Sequence, residues 1–190
     1  NVFLGGGGDD IISGGAGNDV LIGGQGNDVI YGGTGTDRII GGEGRDVIYG
    51  GTGRDTIVIG LDTSGTSDTI RDFEVSAVLT GLAGRSAQAM DKIDFNFSTA
   101  DLAAKLGKSI GELPSTLNYK VVLDDYLGSI TPAQASATTP YSRVLSLLVE
   151  VTANNWVKVS EVRMDWQSNP FGSLDPNAYI LSAIEVPDPA

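Results

Sequence analysis

At 190 residues the chain is long enough for one domain of ordinary size, or for a repeat array with a capping domain. It holds no Cys and no His, which excludes disulfides, thiolate metal sites, imidazole bases and His-based triads. A formal charge of −12, with 24 acidic against 12 basic residues, argues against nucleic acid and anionic membrane surfaces as partners.

From Gly5 to Val58 the chain is six nonapeptides without a gap: GGGGDDIIS, GGAGNDVLI, GGQGNDVIY, GGTGTDRII, GGEGRDVIY and GGTGRDTIV. Gly fills positions 1, 2 and 4 of every unit. Position 6 is always Asp (Asp10, Asp19, Asp28, Asp37, Asp46, Asp55), and position 8 is always a large aliphatic (Ile12, Leu21, Ile30, Ile39, Ile48, Ile57). The glycines open backbone angles closed to other residues, so a six-residue turn can aim its carbonyls at one centre. Carbonyls and carboxylates are hard oxygen donors of the kind Ca²⁺ prefers. The last three residues of each unit are β-prone, and a strand of that length turns only its middle side chain inward. One unit cannot bury that side chain alone, whereas stacked units can.

These units resemble GGxGxDxUx, the repeats-in-toxin (RTX) nonapeptide, a calcium-binding repeat. The resemblance implies a mainly β fold: a right-handed parallel β-roll with two nonapeptides per coil. Equivalent Asp residues then stand 18 apart, with Asp10, Asp28 and Asp46 on one edge and Asp19, Asp37 and Asp55 on the other. The implied carbonyl donors are Gly6, Gly8, Gly15, Gly17, Gly24, Gly26, Gly33, Gly35, Gly42, Gly44, Gly51 and Gly53. At least four Ca²⁺ ions are expected between successive loops. Asn1 falls in the Asp slot of an incomplete unit, with Phe3 in the aliphatic slot, so the array is expected to extend further and to offer a partial site against Asp19.

Carboxylates stacked about 4.8 Å apart repel by roughly 1 kcal/mol in water and 3–4 kcal/mol at an effective dielectric near 20. Four such pairs approach the roughly 5–15 kcal/mol net stability of a domain. Backbone entropy adds to the cost, since 20 of the first 60 residues are Gly. Binding and folding are therefore expected to be one event.

After Val58 the pattern decays, with Ser64 where the next Asp belongs. Asp68-Thr-Ile-Arg-Asp-Phe73 and Asp91-Lys-Ile-Asp-Phe95 resemble the signature that closes the roll in serralysin-type proteases, although 74–90 intervene where that family has a few residues. A shared calcium site from Asp68, Asp72 and Asp91 competes with ordinary surface carboxylates. The roll is taken as 1–73 and a mostly β capping region with one helix as 74–190.

Residues 98–113 read as a helix capped by Ser98 or Thr99, with Leu102, Leu106, Ile110 and Leu113 on one face and Pro114 beyond its end. Residues 129–140 read as a loop, and Val144–Val151 with Trp156–Arg163 as a hairpin about Asn154-Asn155. Tyr179–Val186 is a further strand candidate. Positions 7 and 9 of the repeats should point outward yet are often apolar: Ile11, Val29, Tyr31, Val47 and Tyr49 on one sheet, Val20, Ile22, Ile40 and Val58 on the other. The cap is expected to pack over one of these faces and leave the other for a neighbouring chain or ligand.

Catalytic candidates are few. Asp124, Asp125, Glu161 and Asp165 show no spacing that selects an acid/base pair, and strand-end carboxylates are the favoured reading. Trp156, Trp166 and Tyr179 suit a β core better than a sugar platform. The Gly-rich loops lack a following GK[ST] and are not phosphate loops. The chain is read as non-catalytic, whatever enzyme it belongs to.

RTX arrays sit near the C-terminus of bacterial proteins exported by type I secretion. The resemblance therefore implies a calcium-triggered folding module, extracellular or at the cell surface, aiding export of a larger protein such as an adhesin, toxin or exoenzyme. Its partners would be calcium, the rest of the parent polypeptide and the type I machinery. The final 50 or so residues would include an uncleaved secretion signal. No N-terminal signal peptide is visible, and no apolar run approaches the roughly 18 residues of a membrane span. The alternative is an adhesion module whose cap or outer sheet binds a glycan or peptide.

Overall fold

A computed structural model describes residues 1–61, 67–73, 91–125, 141–166 and 183–187. The repeats form seven strands: β1 (Val2–Gly7), β2 (Ile11–Ala16), β3 (Val20–Gln25), β4 (Val29–Gly35), β5 (Arg38–Glu43), β6 (Val47–Gly53) and β7 (Thr56–Ile59). Odd strands make one parallel sheet and even strands the other, each paired with the strand two places on. The register is 18 residues, as in Leu21↔Ile39 and Ile30↔Ile48. Pairing continues past the three β-prone residues into the glycines, as in Gly24↔Gly42, so the turns themselves hydrogen-bond between coils. Position 8 forms the core column. Leu21, Ile30, Ile39, Ile48 and Ile57 are wholly buried, each contributing about 1.5–3 kcal/mol.

Beyond β7 both sheets go on. β8 (Asp68–Ile70) pairs with β6, aligning Ile70 with Ile48, and β9 (Lys92–Phe95) pairs with β7, aligning Ile93 with Ile57. β12 (Asn155–Trp166) then adds in parallel to β8 and leads the antiparallel meander through β11 (Tyr141–Thr152) to β10 (Tyr119–Asp125). β13 (Ile184–Glu185) adds to β9. The result is a six-stranded and a seven-stranded sheet around one apolar core running from Ile12 to Ala183.

The expected packing of the cap over a sheet face is corrected by this topology. Among the described residues, cap strands join the sheets edge to edge and none packs across an outer face. Tyr31 is 41% exposed and Ile11 81%, while Val29, Val47 and Tyr49 are half-buried. Val58 alone among those outward positions is buried, at 7%. The reason is backbone hydrogen bonding: a parallel edge presents unpaired N–H and C=O groups, and another strand satisfies them where face packing cannot.

The helix is shorter than expected. α1 spans Thr99–Lys105, with Ser98 as N-cap in a capping box with Asp101. Gly107, at φ 65°, ends it, and a 3-10 turn over Ile110–Glu112 follows. Leu102 and Leu113 are buried as the stripe required, but Ile110 lies 59% exposed. The hairpin is longer than expected, and Ala153-Asn154 forms its two-residue turn, Asn154 taking φ 64°. The loop at 129–140 and residues 179–182 of the last strand candidate lie outside the described residues.

Candidate metal centre

The position-6 aspartates form two ladders along the edges of the roll. Asp28 Oδ1 accepts the backbone amide of Asp10 at 2.8 Å, and Asp46 Oδ1 that of Asp28 at 2.9 Å. On the other edge Asp37 Oδ1 accepts from the Asp19 amide and Asp55 Oδ1 from the Asp37 amide, both at 2.9 Å. The amino group of Asn1 meets Asp19 Oδ1 at 2.6 Å, where an earlier Asp amide would stand.

The second oxygen of these carboxylates has no such use. Oδ2 of Asp10, Asp19, Asp28, Asp37 and Asp46 is buried without a hydrogen-bond partner. Burial pushes the Asp46 carboxyl up to about 6, with the Asp28 charge adding to it. Asp37 is raised for the same reasons, burial first and the Asp19 charge behind it. An unpartnered buried carboxylate oxygen is costly and calls for a cation or a proton.

The glycines divide by task. Positions 2 and 4 have positive φ in every unit, for example 117° at Gly24 and 124° at Gly26. A Cβ on Gly24 would also stand 2.1 Å from the Gly6 carbonyl oxygen, so these carbonyls face the neighbouring coil. Position 1 has ordinary φ and is Gly for a steric reason: a Cβ on Gly23 would stand 2.3 Å from Asp28 Oδ2. Among the described residues no three carboxylates converge on one point. The described residues offer instead paired loops, with Oδ2 of Asp10, Asp19, Asp28, Asp37 and Asp46 and the Gly carbonyls as candidate donors. All are oxygen, which fits a hard divalent cation such as Ca²⁺.

The three closing aspartates do not come together. Asp68 Oδ1 accepts the Asp46 amide at 3.0 Å, so Asp68 continues the Asp10–Asp28–Asp46 ladder. Asp91 Oδ1 accepts the Asp55 amide at 3.0 Å and continues the other ladder. Their offsets of 22 and 36 residues replace the regular 18, which hid both places from a search for periodicity. Asp72 spends both oxygens on backbone, accepting from Gly50 at 2.8 Å and Gly51 at 3.0 Å.

The catalytic candidates are equally dispersed. Asp165 pairs with Arg163 at 2.7 Å and takes a hydrogen bond from Ser142, and Glu161 pairs with Lys158 and Ser67. Asp124 and Asp125 sit on β10 opposite Val144 and Arg143. Trp156 is half-buried, and Tyr179 lies outside the described residues. The described residues include no helix long and apolar enough to cross a membrane.

Among the solved structures that resemble the chain are two subunits of a mannuronan C5-epimerase of Azotobacter vinelandii. AlgE6R3 is 23% identical at a TM-score of 0.48, covering 95% of this chain and 80% of its own. AlgE6R2 is 22% identical at a TM-score of 0.47, covering 100% and 95%. No curated protein matches the chain. The family model for the RTX calcium-binding nonapeptide repeat (4 copies) matches residues 4–39 and 31–63. Motif and family model coincide on the coiled segment, so residues 4–63 carry RTX calcium-binding nonapeptide repeats.

Proposed function

We propose that the chain is a calcium-triggered folding module of a larger exported protein. The observation that carries this reading is the file of buried, unpartnered Oδ2 atoms on Asp10, Asp19, Asp28, Asp37 and Asp46. Ions between successive loops would be held by these aspartates with Asp55, and by the carbonyls at positions 2 and 4. Asp68 and Asp91 prolong the ladders and would serve the final interval on each edge. The bound cation neutralises repelling carboxylates, while the chain's own part is to align the loops and bury the position-8 column.

Extracellular calcium modules bind at about 10⁻⁴–10⁻³ M. An array of that affinity stays unfolded in calcium-poor cytosol and folds after export, which suits passage through a type I channel and a place outside the cell. The test is circular dichroism and size-exclusion chromatography of the full chain in EGTA, in millimolar Ca²⁺ and in Mg²⁺. Compaction and β signal should appear only with Ca²⁺. Full β content in EGTA overturns the reading.

A second reading, adhesion to a glycan or peptide, rests on a different observation. Tyr31 and Tyr49 stack at 4.8 Å on the open face of the seven-stranded sheet, beside exposed Ile11. Glycan and peptide arrays with and without Ca²⁺ test it. Binding abolished by Tyr31→Ala supports it, and no binding under either condition leaves the folding role alone.

A further inference from the structure

Position 5 of the repeat is held, in chain order, by Asp9, Asn18, Asn27, Thr36, Arg45 and Arg54. Three of these side chains add rungs beside both aspartate ladders, running in the opposite sense. Asp9 Oδ1 accepts the backbone amide of Asn27 at 2.7 Å, and Asn18 Oδ1 accepts that of Thr36 at 2.9 Å. Asn27 Oδ1 accepts that of Arg45 at 3.1 Å. Asp9 Oδ1 also takes the side-chain amide of Asn27 at 3.2 Å.

Position-6 carboxylates reach back to the preceding coil, and position-5 side chains reach forward to the following one. The Asn27-Asp28 loop is therefore gripped from both sides: Asp9 holds the Asn27 amide and Asp46 holds the Asp28 amide. Two consecutive peptide planes are fixed, and with them the direction of the loop's carbonyls. Where binding and folding are one event, each hydrogen bond that the folded loop gains adds to the free energy released on binding and lowers the calcium midpoint.

We propose that Asp9, Asn18 and Asn27 are positioning residues for calcium, each holding the loop one coil ahead of it in the folded, calcium-binding geometry. The inference rests on the calcium reading above. A side-chain acceptor is the operative chemistry, so the donor-only guanidinium of Arg45 cannot substitute for it.

The experiment is calcium titration of the full chain by calorimetry and circular dichroism, for wild type, Asn18→Ala, Asn18→Asp and Arg45→Ala. Losing one such hydrogen bond corresponds to about a 5-fold rise in the calcium midpoint. Asn18→Ala should show that rise and a shallower titration. Asn18→Asp keeps Oδ1 for the Thr36 amide and should return within about 2-fold of wild type, and Arg45→Ala should not raise the midpoint. The proposal is overturned if Asn18→Ala leaves the midpoint unchanged, if Asn18→Asp moves it as far as Asn18→Ala, or if Arg45→Ala raises it equally. Should Asn18→Ala fail to fold in saturating calcium, Asn27→Ala set against Arg45→Ala carries the same comparison. A wild-type chain indifferent to calcium would overturn the calcium reading, and this inference with it.

Discussion

Asp28 takes the backbone amide of Asp10 on Oδ1 at 2.8 Å and leaves Oδ2 buried without a partner. One oxygen stitches coils together and the other is the donor proposed for the cation, so two substitutions separate the tasks. Asp28→Asn keeps an acceptor for the amide and loses the charge, and it should weaken calcium binding while preserving the calcium-saturated melting temperature. Asp28→Ala also orphans a part-buried amide, which costs about 1–3 kcal/mol, and should lower both. Calorimetric stoichiometry and thermal melts in saturating Ca²⁺ check the pair. Equal effects of the two variants would contradict the division of labour.

Acid should partly replace the metal. Burial lifts Asp46 to about 6 and raises Asp37, whereas in the unfolded chain both titrate near 3.8. The folded roll therefore binds protons that the unfolded chain releases. That contribution to stability is fully present below about pH 4 and is lost as pH rises through about 6. In EGTA, β signal should grow as pH falls from 7 towards 4. With calcium present the midpoint should rise over the same descent, because protons compete for the same oxygens. Loss of β signal on acidification in EGTA would contradict the assignment.

The repeats were readable because identity at fixed positions survives in the bare sequence. The 18-residue ladders, the Ile30–Ile48 column and the donor classes all follow from it. Asp68 and Asp91 were not readable as ladder members, since insertions break the period and only the register Ile48↔Ile70 and Ile57↔Ile93 restores it. The cap was misplaced for a different reason. Side-chain patterns tell which residues point outward, and Ile11 and Tyr31 do, but they say nothing of an unpaired backbone edge, which decided where the cap strands joined. The early end of α1 was visible in Gly107 and was outweighed by the apolar stripe running through Ile110 and Leu113.

Position-1 glycines should be intolerant for lack of space, in contrast to the conformational demand at positions 2 and 4. A Cβ on Gly23 meets Asp28 Oδ2 at 2.3 Å and the Gly41 carbonyl oxygen at 2.5 Å, both fixed by the ladder. Gly7 has only Gln25 Oε1, 4.0 Å away. Gly23→Ala should cost about 1–3 kcal/mol or more through overpacking, and Gly7→Ala within about 0.5 kcal/mol of nothing. Denaturant melts in saturating calcium check the contrast, and matching losses would remove the steric argument.

Asp72 offers the sharpest choice between ligand and brace. Its two oxygens accept the amides of Gly50 and Gly51 within β6, just past Ile48↔Ile70, the last described pair between β6 and β8. Burial raises its carboxyl from the ordinary range, with the two glycine amides opposing that rise. A brace and a ligand differ in what their removal changes. Asp72→Ala should cost about 1–3 kcal/mol of calcium-saturated stability by leaving amides unsatisfied, yet leave the number of bound ions as it was. Asp72→Asn, retaining one acceptor oxygen, should lose about half as much. Calorimetry that counts one ion fewer in Asp72→Ala, with stability otherwise intact, would return Asp72 to the metal.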